Sequence, residues 1–159
     1  MYDFQITKCL NDEDLNLCFE FMKNYLVEIY GKEALSDENF QVWKKNREKI
    51  NENKFFFKML KNDDVFGFAE ILTRSDNTLY FSDIIVREDK RRTRIVYEFI
   101  KYLLDLEEFK NYKEIHLHIN KKNKTSLNAW KCFNLSLLEE GEKSNKYKIE
   151  RKDVEQFML

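Results

Sequence analysis

The sequence predicts an α/β fold in which helices flank one central mixed β-sheet. Apolar residues recur with a period of two in some segments and at helical spacing in others. Helical segments between strands imply crossovers and parallel pairing, whereas short turns elsewhere imply hairpins and antiparallel pairing. The chain has 159 residues, 43% hydrophobic and 15% aromatic, so we expect a single domain over residues 1–159 with a core of large rings.

The first strand and the first two helices follow from residue spacing. Phe4 and Ile6 alternate with polar neighbours, which predicts a strand. Asn11–Asp14 is typical of an acidic helix start, and Gly31 ends that helix. A second helix is expected to begin at Ser36. One side of it carries Phe40, Trp43, Arg47 and Ile50.

The remaining elements complete the order β, α, α, β, β, β, α, β, α, β, β. Turn chemistry at 61–64 and at 76–77 separates three consecutive strands. These strands are predicted over 55–60, 65–72 and 79–86. A helix over 95–106, a strand over 114–120, a helix over 125–133 and a hairpin of 135–139 with 147–150 follow.

Composition and charge indicate which partners and which cellular compartment to expect. The formal net charge is −1, without the basic excess of a general nucleic-acid binder, so we expect no nucleic acid as partner. No apolar run approaches 18 residues, which predicts neither a signal peptide nor a membrane helix. Three cysteines form no CxxC motif or disulfide framework, which favours a cytoplasmic location. A homodimer is left open.

The most informative segment is residues 83–96, in which a predicted strand runs into a basic loop (Arg87–Arg94) that opens a helix. The first amides of a helix lack intrahelical partners, and the helix dipole there favours an anion. Cations beside those amides are unfavourable unless an anion balances them, which indicates a phosphate ligand. These cations are Lys90, Arg91, Arg92 and Arg94. The alternative is a solvated turn balanced by Glu88, Asp89 and Glu98.

This segment resembles the signature of the GNAT acetyltransferase family. In that family the strand ends in Asp-Leu-x-Val, and the loop reads Arg/Gln-x-x-Gly-x-Gly/Ala before a helix. Asp83–Val86 matches the strand end, Arg91 the leading Arg/Gln, and Ile95 the apolar residue between the two small positions. Arg94 and Val96 occupy those small positions, where close approach of phosphate to backbone favours glycine.

The resemblance implies a fold, a donor and a set of binding residues. The expected fold is the GNAT-like mixed sheet, and the expected acyl donor is acetyl-coenzyme A. Loop amides would hold its pyrophosphate, and backbone groups of Ile85 and Val86 its acetyl and pantetheine amides. The loop residues implied are Arg91, Arg92, Thr93, Arg94, Ile95 and Val96. Because Arg94 and Val96 replace small residues, we expect weaker binding than in relatives with glycines.

A second signature resembles the family pattern Asn-x-x-Ala, followed by Tyr and by Gly-Phe at intervals of four. Asn123, Ser126 and Trp130 stand at the first three positions, and Asn134-Leu135 at the last. The resemblance implies that Asn123 and Trp130 line the pantetheine and phosphate arm. Trp130 replaces a tyrosine that often protonates the coenzyme A thiolate, and an indole N–H is not a practical acid. The alternative is a capped amphipathic helix, with Thr125 as cap and Ala129 and Phe133 in the core.

The predicted reaction moves an acetyl group from acetyl-coenzyme A to a primary amine of a small molecule or a peptide. Asp83 and Glu70 lie on predicted central strands and are the candidate bases, acting directly or through water. The alternative is that both carboxylates face solvent or cap a neighbouring strand. The competing function is a catalytically impaired GNAT-fold module that binds a coenzyme A ligand or a protein partner, favoured by the altered loop and by Trp130. A phosphate-binding domain of another fold is a third possibility.

No metal is expected. His116 and His118 share one face of a strand, and no third ligand stands at a suggestive spacing. They are open to roles as bases, substrate contacts or ligands, although surface histidines are the favoured interpretation. Cys18 and Cys132 lie at apolar helical positions and are expected in the core.

Overall fold

The computed structural model describes residues 2–157, and their elements follow the predicted order with one additional helix at the end. The strands are Asp3–Thr7 (β1), Lys54–Lys61 (β2), Asp64–Thr73 (β3), Thr78–Val86 (β4), Glu114–Asn120 (β5), Ser136–Glu140 (β6) and Ser144–Glu150 (β7). The α-helices are Asp12–Tyr30 (α1), Asp37–Glu48 (α2), Ile95–Asp105 (α3), Lys124–Trp130 (α4) and Arg151–Phe157 (α5). Short 3₁₀ helices cover Lys32–Leu35, Glu88–Lys90 and Lys131–Phe133.

The strands form one mixed sheet in the order β1-β2-β3-β4-β5-β7-β6, which confirms the predicted fold class. β1 pairs antiparallel with β2, and β7 pairs antiparallel with both β5 and β6. β4 and β5, which α3 separates along the chain, pair in parallel. A parallel pair needs a long crossover, and α3 provides it.

The helix ends confirm the capping chemistry read from the sequence. Asn11 caps α1 by accepting a hydrogen bond from the backbone of Asp14, whose side chain accepts from the backbone of Asn11. Gly31 ends α1 with φ of 86°, a backbone angle that favours glycine. Ser36 caps α2 by accepting from the backbone of Asn39.

The tight turns use asparagine and aspartate in the left-handed region. Asn62 and Asp63 have φ of 53° and 64° between β2 and β3, as a two-residue hairpin requires. Asn77 has φ of 62° between β3 and β4. Asn134, which stands at the glycine position of the second signature, has φ of 61°, a conformation that asparagine tolerates better than most residues.

The chain divides into two compact units. The first comprises the residues up to Glu70 together with Asp83–Thr93, and the second comprises Ile71–Ser82 and the residues from Arg94 onward. One core cluster of the first unit consists of Leu10, Leu15, Cys18, Met22, Phe56, Phe68 and Ile85. Buried residues of the second unit include Leu79, Phe81, Phe99, Ile115, Leu117, Phe133 and Ile149. The expectation of a single domain over 1–159 remains a prediction.

Two local predictions were wrong, and one helix was missed. Ile50 lies beyond α2 and is 74% exposed, so it does not continue the apolar side of that helix. The helix expected over 125–133 is α4 followed by a 3₁₀ turn. α5 was not predicted, because Val154 is its one buried residue among those described. Among residues 2–157, no helix is long and apolar enough to cross a membrane.

Candidate functional site

Arg87 opens the basic loop and is held by two carboxylates. Its guanidinium donates to both carboxylate oxygens of Asp64, at 3.0 and 2.9 Å, and to both of Asp89, at 2.6 and 3.0 Å. These bonds hold the pKa of each carboxyl group below its usual value and raise the pKa of Arg87. The charge of Arg87 is therefore balanced within the first unit.

Arg91, which matches the leading position of the loop signature, donates to two backbone carbonyls. Its Nε lies 2.8 Å from the oxygen of Val86, and its Nη2 lies 2.7 Å from the oxygen of Phe21 in α1. The side chain is half-buried. Arg91 thus ties the loop to the end of β4 and to α1, which fixes the path of the loop backbone.

The next residues of the loop are exposed and carry free charge. Arg92 adopts φ of 59°, and the hydroxyl of Thr93 donates to the carbonyl of Lys90 at 2.6 Å. Arg92, Thr93 and Arg94 are exposed. Within the described part of the chain, the side chains of Lys90, Arg92 and Arg94 have no ion-pair partner. These three cations are available to an anion.

α3 begins directly after the basic loop and has no side-chain cap. Arg94 is the N-cap residue, and its side chain makes no capping hydrogen bond. Ile95 is fully buried in the second unit, while Val96 is half-buried. The first amides of α3 therefore have no side-chain partner at the helix start. Such amides favour an anion as their hydrogen-bond acceptor.

The end of β4 extends past its pairing with β5. The parallel register runs from Thr78 to Phe81, and β4 continues to Val86. On the β3 side, the amide of Arg87 donates to the carbonyl of Phe66 at 2.7 Å. A Cβ on Gly67 would lie 2.9 Å from the carbonyl oxygen of Ile85, so only glycine permits this close approach of β3 to β4. Backbone groups of Ile85 and Val86 thus lie in a part of β4 outside the β5 ladder.

Glu70 and Asp83, the two candidate bases, are brought together by Arg47 of α2. Arg47 donates a hydrogen bond to Asp83, and its Nε lies 3.5 Å from Oε2 of Glu70. The side chain of Glu70 is 7% exposed and that of Asp83 is 24% exposed, so neither simply faces solvent. Lys54 Nζ is 4.0 Å from the same Glu70 oxygen. That oxygen has no hydrogen-bond partner among the described residues.

Arg47 is the site residue that sequence reasoning missed. It was placed on the side of the second helix with Phe40 and Trp43, without a function. Its guanidinium lies 5.1 Å from the centre of the Trp43 ring, within range of a cation–π contact. An arginine on an otherwise apolar helix side was the signal, since a buried cation requires a carboxylate partner.

In the second unit, Asn123 caps α4 rather than Thr125. Its side-chain oxygen accepts from the amide of Ser126 at 3.1 Å, and its own amide donates to the carbonyl of Asn120 at 2.8 Å. This leaves the side-chain NH₂ of Asn123 without a partner among the described residues. Such a donor at a helix start suits contact with an oxygen of a ligand.

Trp130 lies in the core of the second unit. It is 7% exposed, and its ring centre is 5.9 Å from that of Phe81 and 6.0 Å from that of Phe133. The side chain therefore serves packing first. Its predicted contact with a ligand stays a prediction.

The histidines and cysteines differ from one another in environment. His116 is buried beside Glu114, with 3.0 Å between nitrogen and oxygen, so the expected surface position was wrong for this residue. His118 is exposed and lies 2.5 Å from the hydroxyl of Tyr80; burial, then Lys146 and Arg74, lowers its pKa. Among residues 2–157, no group of three or more His, Cys, Asp or Glu is placed to hold a metal ion.

Cys18 and Cys132 were both expected in the core, and only Cys18 is there. Burial raises the pKa of the Cys18 thiol to about 12, so this thiol is a poor nucleophile. Cys132 is exposed, because it falls on the 3₁₀ turn after α4, where its thiol donates to the carbonyl of Ala129 at 3.3 Å.

Sequence comparison identifies a family for most of the chain. The model of the acetyltransferase (GNAT) family matches residues 16–134, which include the first signature and all of the second except Leu135. A search of curated proteins found no match.

Solved structures share the fold at low sequence identity. The PaiA N-acetyltransferase from Thermoplasma acidophilum, solved in complex with coenzyme A, has a TM-score of 0.70 at 15% identity, covering 93% of this chain and 99% of its own. The Campylobacter jejuni N-acetyltransferase PseH, in complex with acetyl coenzyme A, has a TM-score of 0.64 at 14% identity, covering 95% and 99%. An acetyltransferase from Thermus thermophilus has a TM-score of 0.72 at 12% identity, covering 92% and 96%.

Proposed function

We propose a function from the premise that this chain belongs to the acetyltransferase (GNAT) family: it transfers an acetyl group from acetyl-coenzyme A to a primary amine of a small molecule or a peptide. The observation that supports the donor is the basic loop: along the chain it carries Lys90, Arg92 and Arg94, which have no ion-pair partner within residues 2–157, and it leads directly into α3, whose start has no side-chain cap. The same fold holds coenzyme A or acetyl coenzyme A in two of the compared structures.

The pyrophosphate of the donor fits the basic loop. Arg87 and Arg91 form hydrogen bonds within the protein and hold the loop backbone in place. The other cations of the loop are therefore the ones proposed to bind the pyrophosphate. Lys90 and Arg92 supply charge-assisted hydrogen bonds, as does Arg94, and the first amides of α3 supply the helix-end site. The predicted ligand contacts of Thr93, Ile95 and Val96 are contacts through the backbone.

The acyl end of the donor fits the end of β4. Ile85 and Val86 lie outside the β5 ladder, and backbone groups there that make no bond within the protein would pair with the amides of the pantetheine arm, whereas the carbonyl of Val86 already accepts from Arg91. A carbonyl of the thioester held there is close to Asp83, which stands two residues before Ile85 on the same strand. The predicted roles of Asn123 and Trp130 toward this arm are retained as part of the proposal.

The proton chemistry is assigned to Glu70 and Asp83. The amine nitrogen forms a bond to the acetyl carbon, the carbon–sulfur bond breaks, and the amine loses one proton. Glu70 Oε2, buried and without a hydrogen-bond partner among the described residues, accepts that proton directly or through a water. Arg47 and Asp83 complete the charge balance around it. The thiolate takes its proton from solvent, because the indole of Trp130 is not a practical acid.

The competing function is a module that binds a coenzyme A ligand without transfer. Two features favour it, namely Trp130 in place of an acid and the larger residues Arg94 and Val96 at the small positions of the loop. Both functions use the same coenzyme A site, but only the first transfers the acetyl group.

Calorimetric titration with acetyl-coenzyme A tests the donor site. Replacing both Arg92 and Arg94 by alanine removes two free cations, and we expect affinity to fall by about tenfold or more, equivalent to about 1.4 kcal/mol. Stability of the free protein should be unchanged or higher, because fewer cations then oppose the α3 dipole. A matched control replaces exposed Lys101 and Lys113 by alanine, which removes the same charge elsewhere. Unchanged affinity in the folded double variant would mean that the basic loop is only a solvated turn.

A further inference from the structure

One face of the sheet in the second unit carries a row of polar side chains across its strands. Along β5, Leu117 and Ile119 are buried, whereas His118 is exposed. Successive side chains of a strand point to opposite faces of a sheet, so His118 lies on the face opposite the core. It stands opposite Lys146 of β7, and Lys146 stands opposite Glu139 of β6. These three side chains therefore lie side by side on one face.

Tyr80 and Arg74 extend this row to β4. The hydroxyl of Tyr80 lies 2.5 Å from Nδ1 of His118. The guanidinium carbon of Arg74 lies 3.9 Å from the centre of the Tyr80 ring, which is a cation–π contact. We call the whole set the cross-sheet row; in order, it consists of Arg74 over Tyr80, then His118, Lys146 and Glu139. The row crosses the neighbouring strands β4-β5-β7-β6, with a cation at one end and a carboxylate at the other.

The charges of the cross-sheet row have no partners within the described chain. Arg74 and Lys146 are half-buried and Glu139 is exposed, and within residues 2–157 none of the three forms an ion pair. Two residues along β7, by contrast, Lys148 lies 3.9 Å from a carboxylate oxygen of Glu114. The unpaired charges of the row are therefore available to a partner outside the chain.

His118, near the middle of the row, is uncharged at neutral pH. Burial lowers its pKa, and the positive charges of Lys146 and Arg74 lower it further. Because the usual pKa of histidine is about 6.5, the imidazole is then neutral at pH 7. A cation that faces His118 from outside therefore meets no like charge on this ring.

The cross-sheet row is complementary to its own reverse. A twofold axis that runs parallel to the strands, between two stacked sheets, places each row against a reversed copy of itself. Arg74 of one copy then faces Glu139 of the other, and Lys146 faces the neutral His118. Stacked sheets lie about 10 Å apart, a gap that an arginine and a glutamate reaching from opposite sides can close. Both ends of the row thereby gain an ion pair.

From this charge order we propose that the face binds a second copy of the chain and forms a twofold dimer through two Arg74–Glu139 pairs. The row itself selects this partner. A purely anionic ligand would be repelled by Glu139, and a purely cationic one by Arg74 and Lys146. A second copy supplies the required charges in the reverse order. The proposal does not depend on acetyl transfer.

The size of the face determines how strong this dimer is. Strands about 4.8 Å apart and about 20 Å long give the face of β4, β5, β7 and β6 an area of roughly 400 Å² per copy. The two copies together then bury about 800 Å², which is less than the ~1,200 Å² of stable interfaces and typical of weak, transient ones. We therefore expect monomer and dimer to exchange, with Kd in the micromolar range or above.

Sedimentation velocity at protein concentrations from about 5 to 500 µM measures the dimer Kd. Arg74→Glu and Glu139→Arg each place like charges opposite one another at both ends of the row, so each should raise Kd by about tenfold or more. The double variant Arg74→Glu/Glu139→Arg restores both pairs in reverse and should return Kd to within about threefold of wild type. Glu142→Arg is the matched control, because it makes the same charge change at an exposed position between β6 and β7, and it should leave Kd unchanged.

A mixture of the two single variants separates a lost contact from a lost fold. Each variant alone carries the same sign of charge at both ends of its row, whereas the two variants carry opposite signs. The mixture should therefore form a heterodimer with a Kd close to that of wild type. Such recovery requires both variants to be folded and Arg74 to face Glu139 across the interface.

Three results would overturn the proposal. The first is a wild-type protein that stays monomeric at all concentrations tested. The second is a dimer that neither single variant weakens, since another surface would then form it. The third is weakening by both variants without recovery in their mixture or in the double variant. None of these results bears on acetyl-coenzyme A binding, which tests the proposed function separately.

Discussion

At the scale of single residues, Arg47 determines how a buried and a half-buried carboxylate coexist in the first unit. Its side chain is 14% exposed and contacts both Asp83 and Glu70, which would otherwise repel each other. Lys54 contributes a more distant cation at 4.0 Å from Glu70. The positive charge of Arg47 therefore offsets the repulsion between the two carboxylates. The residue links the folding of α2 to the candidate chemistry.

Replacing Arg47 by alanine should destabilise the protein by about 3 kcal/mol, because two carboxylates then lose their main cation in a buried setting. The measurement is urea unfolding at neutral pH. Lys45→Ala, at an exposed position of the same helix, is the matched control and should change stability by less than about 0.5 kcal/mol. An Arg47→Ala variant as stable as this control would mean that the ion pairs contribute nothing to folding.

The burial of a single side chain could be predicted from the sequence where a local pattern determines it. Glu70 stood out as a charge within an apolar strand, and it is buried. Its pairing with Arg47 could not be predicted, because α2 and β3 meet only in the folded chain. Cys132 shows the opposite error, since an apolar helical position became exposed where α4 gives way to a 3₁₀ turn.

At the scale of elements, the basic loop keeps its shape without the glycines of the family signature. Arg91 anchors it to two carbonyls, Thr93 closes its turn, and Arg92 takes the left-handed conformation between them. Left-handed backbone costs a residue with a side chain about 1–2 kcal/mol. The backbone of Arg92 is therefore modestly strained. Arg94 has φ of −76° and carries no strain from a left-handed conformation.

Arg92→Gly should raise stability by about 0.5–1 kcal/mol, because relief of the left-handed conformation exceeds the entropy that glycine loses on folding. Arg94→Gly is the control with the same chemical change at a right-handed position, and it should lower stability by up to about 1 kcal/mol. Thermal or urea unfolding of the two variants compares them directly. Equal destabilisation by both changes would show that Arg92 is not strained.

Elements with strong local signals were predicted, and those held by distant contacts were not. β5 matches its predicted range, and α1 has the predicted cap and end. α5 was missed because long-range hydrogen bonds hold its start. Arg151 donates to the carbonyls of Leu104, Phe109 and Tyr112. No local pattern encodes such contacts.

At the scale of the whole molecule, the order of elements was sufficient to predict the mixed sheet. The parallel pairing of β4 with β5 follows from the crossover through α3, and the hairpins follow from their turn residues. An apolar cleft of the first unit could not be predicted, because it is assembled from α1, α2 and the turn between them. Family membership establishes the class of enzyme, and the chain's own side chains must select the amine.

The central claim is that this protein transfers an acetyl group from acetyl-coenzyme A to an amine. Its most direct test is mass spectrometry of hexylamine and propylamine after incubation with the protein and acetyl-coenzyme A labelled with ¹³C in the acetyl group. The account predicts a labelled N-acetylamine and an equal amount of free coenzyme A, both absent without protein. Tight binding of acetyl-coenzyme A with no labelled product from any amine or peptide offered would contradict the claim and identify the chain as a binding module.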